Sequence, residues 1–116
     1  MPYLHLSVST KLDDDKIQAL HKAVDESIAL IPGKSYEVTT IHIDDRQRIS
    51  KGDPSIPCGY CDIRMFGPAG IDAKRAFVKD FTEKASRITG VPSDHLAITI
   101  QELDTWGGNG YLKSFR

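Results

Sequence analysis

From Tyr3 to Val8 apolar and polar residues alternate, with Leu4, Leu6 and Val8 on one side and His5 and Ser7 on the other. That is the period of a half-buried strand, so the chain is expected to enter a sheet almost at once. Asp13, Asp14 and Asp15 then supply a cap and first-turn negative charge for a helix whose Ile17, Leu20, Val24, Ile28 and Ile31 recur every three or four residues. Pro32 and Gly33 stop it. A second strand reads from about Tyr36 to Asp44, with Ile41 and Ile43 flanking His42. The polar stretch from Asp45 to Pro57 holds Gly52, Pro54 and Pro57 and reads as an excursion from the core with a little strand in it.

The same plan then recurs. Tyr60 to Phe66 alternates Cys61, Ile63 and Met65 against Asp62 and Arg64, and Gly67-Pro68-Ala69-Gly70 turns the chain. Asp72 is expected to cap a helix with the apolar line Ala73, Phe77, Phe81, Ala85 and Ile88, ended by Gly90 and Pro92 before a strand over His95 to Gln101. Each half is strand-helix-strand, with short turns that make both crossovers parallel. The pattern therefore predicts one α+β domain over 1–116, with pseudo-repeats at about 2–45 and 58–103. A four-stranded mixed sheet carries two helices on one face. Ala97, Thr99 and Gln101 point to the other face if Leu96, Ile98 and Ile100 face the helices, and nothing in one chain covers it. A closed homo-oligomer is the economical cover. Residues 104–116 carry Trp106, Tyr111 and Phe115 among glycines and read as a hairpin or edge strand reaching onto a neighbouring subunit.

Composition narrows the partners. A chain of 116 residues with 40% hydrophobic content closes one core and is too short for two ordinary domains. Fifteen basic against sixteen acidic residues leave a net charge of -1, with no global field to attract nucleic acid or an anionic membrane. No apolar run reaches the roughly 20 residues of a membrane span, and the alternating start lacks the continuous apolar stretch of a signal peptide. A cytoplasmic protein with a small-molecule partner is expected. Two cysteines suit neither a disulfide scaffold nor a four-cysteine zinc site, and the scattered His5, His21, His42 and His95 lack metal-ligand spacing. No metal or cofactor is called for.

Several short stretches carry a family resemblance that runs from end to end. Met1-Pro2 opens the first strand, Gly33-Lys34 follows the first helix, and Pro57-Cys58-Gly59-Tyr60-Cys61 opens the third strand. Val91-Pro92-Ser93-Asp94 precedes the fourth strand, and the tail holds Trp, Asn and Phe. In these features the chain resembles the tautomerase superfamily, and within it most the macrophage migration inhibitory factor family. Leu112-Lys113-Ser114-Phe115 also resembles the end of 5-carboxymethyl-2-hydroxymuconate isomerase. The resemblance implies a trimer with the sheets inward, active sites between subunits, no cofactor, and keto-enol tautomerisation of a 2-oxo acid or an unsaturated dicarboxylate.

The chemistry of Pro2 stands on its own physics. Methionine before proline is normally trimmed, which exposes a secondary amine at the start of a strand. An α-amine has a pKa of about 8, and an apolar pocket with a nearby cation lowers it by disfavouring the charged form. Such an amine can take a proton from the carbon beside a ketone and return it to another atom. Proline is also simply a common second residue; the surrounding pattern favours the catalytic reading. Lys34 matches the family's substrate-binding lysine, though a lysine after a helix also neutralises the last carbonyls. The resemblance places Arg64, Met65 and Phe66 on a pocket wall, Phe66 at its apolar position, with a solvated Arg64 as the alternative. Lys11 stands where a related branch carries a substrate-binding arginine and is otherwise solvated.

On the fourth strand the family's tyrosine and asparagine give way to Ala97 and Thr99. Thr99 is kept as a binding residue, while an arylpyruvate preference and receptor biology do not transfer. Cys58 and Cys61 open a strand where a redox dithiol would open a helix, and they read as structural. Asp44, Asp45, Glu102 and Asp104 stand at strand ends, where a water-activating base of a hydratase or dehalogenase would sit, or a solvated turn residue. The alternatives to a tautomerase are therefore a proline-dependent hydratase, dehalogenase or decarboxylase, and a cytokine-like binder with a vestigial pocket.

Overall fold

Strand and helix alternate twice in the computed structural model, which describes residues 1–115. The first unit is β1 (Pro2–Val8), α1 (Asp14–Ile28) and β2 (Thr40–Asp44); the second is β3 (Gly59–Phe66), α2 (Ile71–Thr89) and β4 (Leu96–Leu103). A separate hairpin of β5 (Thr105–Gly108) and β6 (Tyr111–Ser114) ends the described chain. The sheet order is β2-β1-β3-β4, parallel within each unit and antiparallel where β1 meets β3. This is the mixed sheet that two β-α-β units predict.

The alternation sets the layers. Leu4, Leu6 and Val8 of β1 and Cys61, Ile63 and Met65 of β3 are buried against Leu20, Val24 and Ile28 of α1 and Phe77, Phe81 and Ala85 of α2. Phe77 and Phe81 are wholly buried and stack with centroids 5.7 Å apart. Between the helices, Ser27 Oγ donates to Asp80 Oδ2 at 2.8 Å, which satisfies a hydroxyl that has lost all contact with water. The opposite face carries Tyr3, His5, Ser7, His42, Asp44, Asp62, Arg64 and Thr99. Its polar cast explains why it stands open in a single chain.

Local chemistry sets the ends. Asp13 caps α1 by accepting from the Lys16 amide at 2.9 Å, with Asp14 and Asp15 in the first turn. The corresponding expectation for α2 is corrected: the cap position is Gly70, which has no side chain to offer, and Asp72 sits inside the first turn. The second strand is shorter than its pattern suggests. Tyr36–Val38 coils into a 3-10 turn held by Thr39 Oγ1 on Ser35 O at 2.6 Å and by the Tyr36 hydroxyl with His21 Nδ1 at 2.8 Å. Local hydrogen bonds there win over extension. Ile31 keeps the period of α1 yet lies beyond its end, buried in the following turn.

The excursion after β2 forms no strand, although Gln47 N and Arg46 N close onto Val8 O and Thr10 O at 2.9 Å. β4 runs to Leu103, past the expected Gln101. The tail is the hairpin of the two alternatives offered for residues 104–115, and Arg116 lies outside the described residues. Its turn, Asn109-Gly110, has φ of 49° and 79°, both positive as a tight primed turn requires. No helix among the described residues is long and apolar enough to cross a membrane.

Candidate active site

Pro2 is the first residue of β1 and is buried. It pairs with Met65 of β3, so it belongs to the helix-facing side of the sheet. Gly33, at φ 79°, reverses the chain after α1, and Lys34 then runs along the end of β3, where its Nζ donates to Phe66 O at 2.8 Å. Its ammonium stands close enough to the chain terminus to act on it. Burial first, then the charges of Lys34 and Lys113, hold the Met1 amine below the ordinary value for an α-amine.

The wall beside this point is aromatic. Phe66 stacks on Phe115 of the tail with centroids 4.4 Å apart, and the Phe115 amide donates to Asp104 O at 3.0 Å. Gly67, at φ 85°, lets the ring lie flat on the backbone, because a Cβ there would lie well inside contact distance of Phe115. A cleft of about 190 Å³ lies between Gly67, Pro68, Glu102, Leu103, Asp104 and Phe115, and neither Pro2 nor Lys34 lines it.

The remaining expected residues do not all gather at the terminus. Met65 takes a core position: it is completely buried, because alternation along β3 turns it toward the helices. Its side chain supplies no wall in this chain. Arg64 pairs with Tyr3 and projects from the other sheet face, with Nη2 3.6 Å from Asp62 Oδ2. It lines a cleft of about 340 Å³ with Tyr3, His5, Asp62, Leu103 and Trp106. Thr99 lies on that same open face, its Oγ1 accepting from the Tyr60 hydroxyl at 3.1 Å, and Ala97 is the register partner of Tyr60. Lys11 is exposed between β1 and α1.

The strand-end carboxylates have other employment. Asp45 accepts from the Leu12 amide at 2.9 Å, which is the first cause of its lowered pKa, and so ties the β1-α1 turn to the end of β2. Glu102 is ion-paired to Lys74 and accepts from the Ala69 amide at 3.0 Å; the Lys74 contact above all keeps it ionised. A carboxylate stabilised in this way is a weakened proton acceptor. Both cysteines are free and buried, and burial pushes the Cys61 thiol up, which suits an inert core residue.

One cluster escapes sequence spacing altogether. His5 and His42 are direct partners across β1 and β2, their rings are parallel with centroids 3.9 Å apart, and both approach Asp44 Oδ2. The signal was the polar positions of two strands expected to be parallel; pairing them needs the register, which spacing does not contain.

A buried proline opening the first of two β-α-β units, beside a lysine held at a strand end, defines the architecture of the tautomerase superfamily. More narrowly, the chain belongs to the macrophage migration inhibitory factor family, whose model matches residues 1–111. It is 25% identical over 88 residues to macrophage migration inhibitory factor of Xenopus tropicalis, an alignment spanning 72% of this chain and 76% of that one. Among solved structures, Leishmania major MIF2 superposes with a TM-score of 0.82 at 21% identity, covering 97% of each chain. Pt0534 inactivated by 2-oxo-3-pentynoate superposes with a TM-score of 0.79 at 12% identity, covering 93% of each.

Proposed function

We propose that the protein is a cofactor-independent keto-enol tautomerase of 2-oxo acids, with the Pro2 amine, exposed on removal of Met1, as its acid/base. The observation that carries this reading is the Lys34 ammonium fixed on Phe66 O beside a partly desolvated chain terminus. An ammonium has three donors, so the one spent on Phe66 O leaves two for a substrate carboxylate. With the carboxylate on Lys34, the acidic carbon next to the ketone lies toward the amine. The same cation and the same burial that depress the Met1 amine act on a Pro2 amine one residue away, and both favour its unprotonated, basic form. Pro2 takes the proton from carbon, the electron pair moves onto the carbonyl oxygen, and the proton returns to that oxygen, giving the enol with no net loss.

A trimer with the sheets inward accompanies this reading, supported by the open face and by the tail, where Tyr111 and Leu112 are 75% and 72% exposed. An isolated two-stranded hairpin is marginal in water, and those side chains need a neighbour. In such an assembly Arg64 and Thr99 of one subunit complete the pocket of another. The structure of a relative inactivated by 2-oxo-3-pentynoate supports the 2-oxo acid class.

Ala97 and Thr99, with neither a phenol nor an amide, favour a second reading, a binding protein with a vestigial pocket. One experiment separates the two. Mature protein, with loss of Met1 verified by intact mass, is assayed on phenylpyruvate and 2-hydroxymuconate. Turnover that disappears in Pro2→Ala establishes the enzyme, and a fully active Pro2→Ala refutes the mechanism.

A further inference from the structure

We propose that His5, His42 and Asp44 form a binding site for a divalent transition-metal ion of the zinc type on the open face of the sheet. The strands place the three donors. His5 and His42 are opposite each other in the parallel β1/β2 register, and Ser7 is opposite Asp44 one pleat further on. Neighbouring strands stand about 4.8 Å apart, so two imidazoles on one face share the space a single ion needs. The Nε2 atoms of His5 and His42 lie 2.8 Å and 3.2 Å from Asp44 Oδ2, and the three donor atoms all lie within 4.8 Å of one another. Ligands about 2.0 Å from a tetrahedral ion are about 3.3 Å apart, so both nitrogen-oxygen separations are close to the edge of a coordination shell.

The outer contacts fit as well. The Tyr3 hydroxyl is 2.9 Å from His42 Nδ1, which aims that ring and leaves Nε2 as the ligand atom. Ser7 Oγ, 3.3 Å from His5 Nε2, is placed to hold a water on the ion. The three ligand side chains are between 28% and 48% exposed in a single chain, and one carboxylate beside two imidazoles gives the site a charge of the right sign.

Occupation requires one movement. The rings are now parallel, and each must rotate about Cβ–Cγ so that both Nε2 lone pairs converge on the ion. To bind the ion through the Nε2 lone pair, His42 carries its proton on Nδ1 and donates it to the Tyr3 hydroxyl oxygen. Two imidazoles and one carboxylate select zinc, cobalt or nickel over magnesium and calcium, which need oxygen ligands throughout. The cluster lies across the sheet from Pro2 but shares a cleft with Arg64, so its test reads metal binding and not turnover.

The test uses the full chain without an affinity tag, stripped with chelator, and titrated with zinc by calorimetry and with cobalt by visible absorption. We expect one ion per chain and d–d bands of an ordered low-coordinate site. His5→Gln, His42→Gln and Asp44→Asn should each weaken binding by at least tenfold, and Tyr3→Phe by about tenfold through lost orientation of His42. Far-UV circular dichroism of each variant confirms that the sheet has formed. Zinc binding that survives unchanged in the His5→Gln/His42→Gln double variant would place the ion on other donors and overturn the proposal, as would no measurable binding by the wild-type chain at micromolar zinc.

Discussion

Replacing Lys34 by methionine tests the site through two effects of independent origin. The side chain keeps most of its length and loses its charge. A substrate carboxylate then loses one charge-assisted hydrogen bond, worth about 1.5–3 kcal/mol. Expressed as a rate, this is a fall in kcat/KM of about 10- to 150-fold. The second effect falls on the base. Lys34 lowers the pKa of the terminal amine, after burial the largest cause, because two cations at close range repel. Without it the amine holds its proton to higher pH, so the acid limb of the kcat/KM profile moves upward.

Lys34→Arg, which retains the cation, should keep the limb near its wild-type position while changing affinity. The profile is measured on 2-hydroxymuconate with processed protein, and the amine is titrated directly by NMR in the absence of substrate. An acid limb that stays in place or moves to lower pH in Lys34→Met would show that Lys34 does not act on the base. A kcat/KM that falls less than a few-fold would show that it does not hold the carboxylate.

Other expectations rest on single contacts. Gly67→Ala meets both a positive φ and the Phe115 ring, so urea denaturation should show a loss of about 1–2 kcal/mol for the backbone alone. In a Phe115→Ala background the steric part of that loss vanishes, and a double-mutant cycle with no coupling would mean that the ring does not rest on Gly67. Phe77→Ala removes a wholly buried ring and should cost about 3–5 kcal/mol in the same assay.

The fold was legible because each of its signals is local. Alternation at residues 3–8 and 60–66, the 3.6-residue recurrence along Phe77, Phe81 and Ala85, and the Asp13 cap are all settled within a few residues of sequence. The errors arose where two local preferences compete. Tyr36 and Val38 favour a strand by type, but Ser35 and Thr39 bond to each other across them and close a turn. Asp72 is a good capping residue, but the chain enters α2 two residues earlier, through a glycine with extended dihedrals. In the tail, Asn109-Gly110 alone would have decided between hairpin and edge strand.

The site was harder to read for a different reason. A strand residue's neighbours are fixed by register and by parity, and one step along the strand moves a side chain to the other face of the sheet. Arg64, Met65 and Phe66 are consecutive, so a wall assigned to all three necessarily spans both faces. Met65 went to the core, and Arg64 to the side of Tyr3 and Thr99. Pro2 is a candidate on its position in the chain alone, whereas Lys34 needs the turn at Gly33 to carry it to Phe66 O. The same parity rule hid the cluster in which His5 lies 37 and 39 residues from His42 and Asp44 along the chain, while the three donor atoms fall within 4.8 Å of one another. Parity also gives the open face its meaning. A surface that gathers two histidines, an arginine and carboxylates on a rigid sheet is chemically furnished, and an oligomer that encloses it surrounds those groups with copies of themselves.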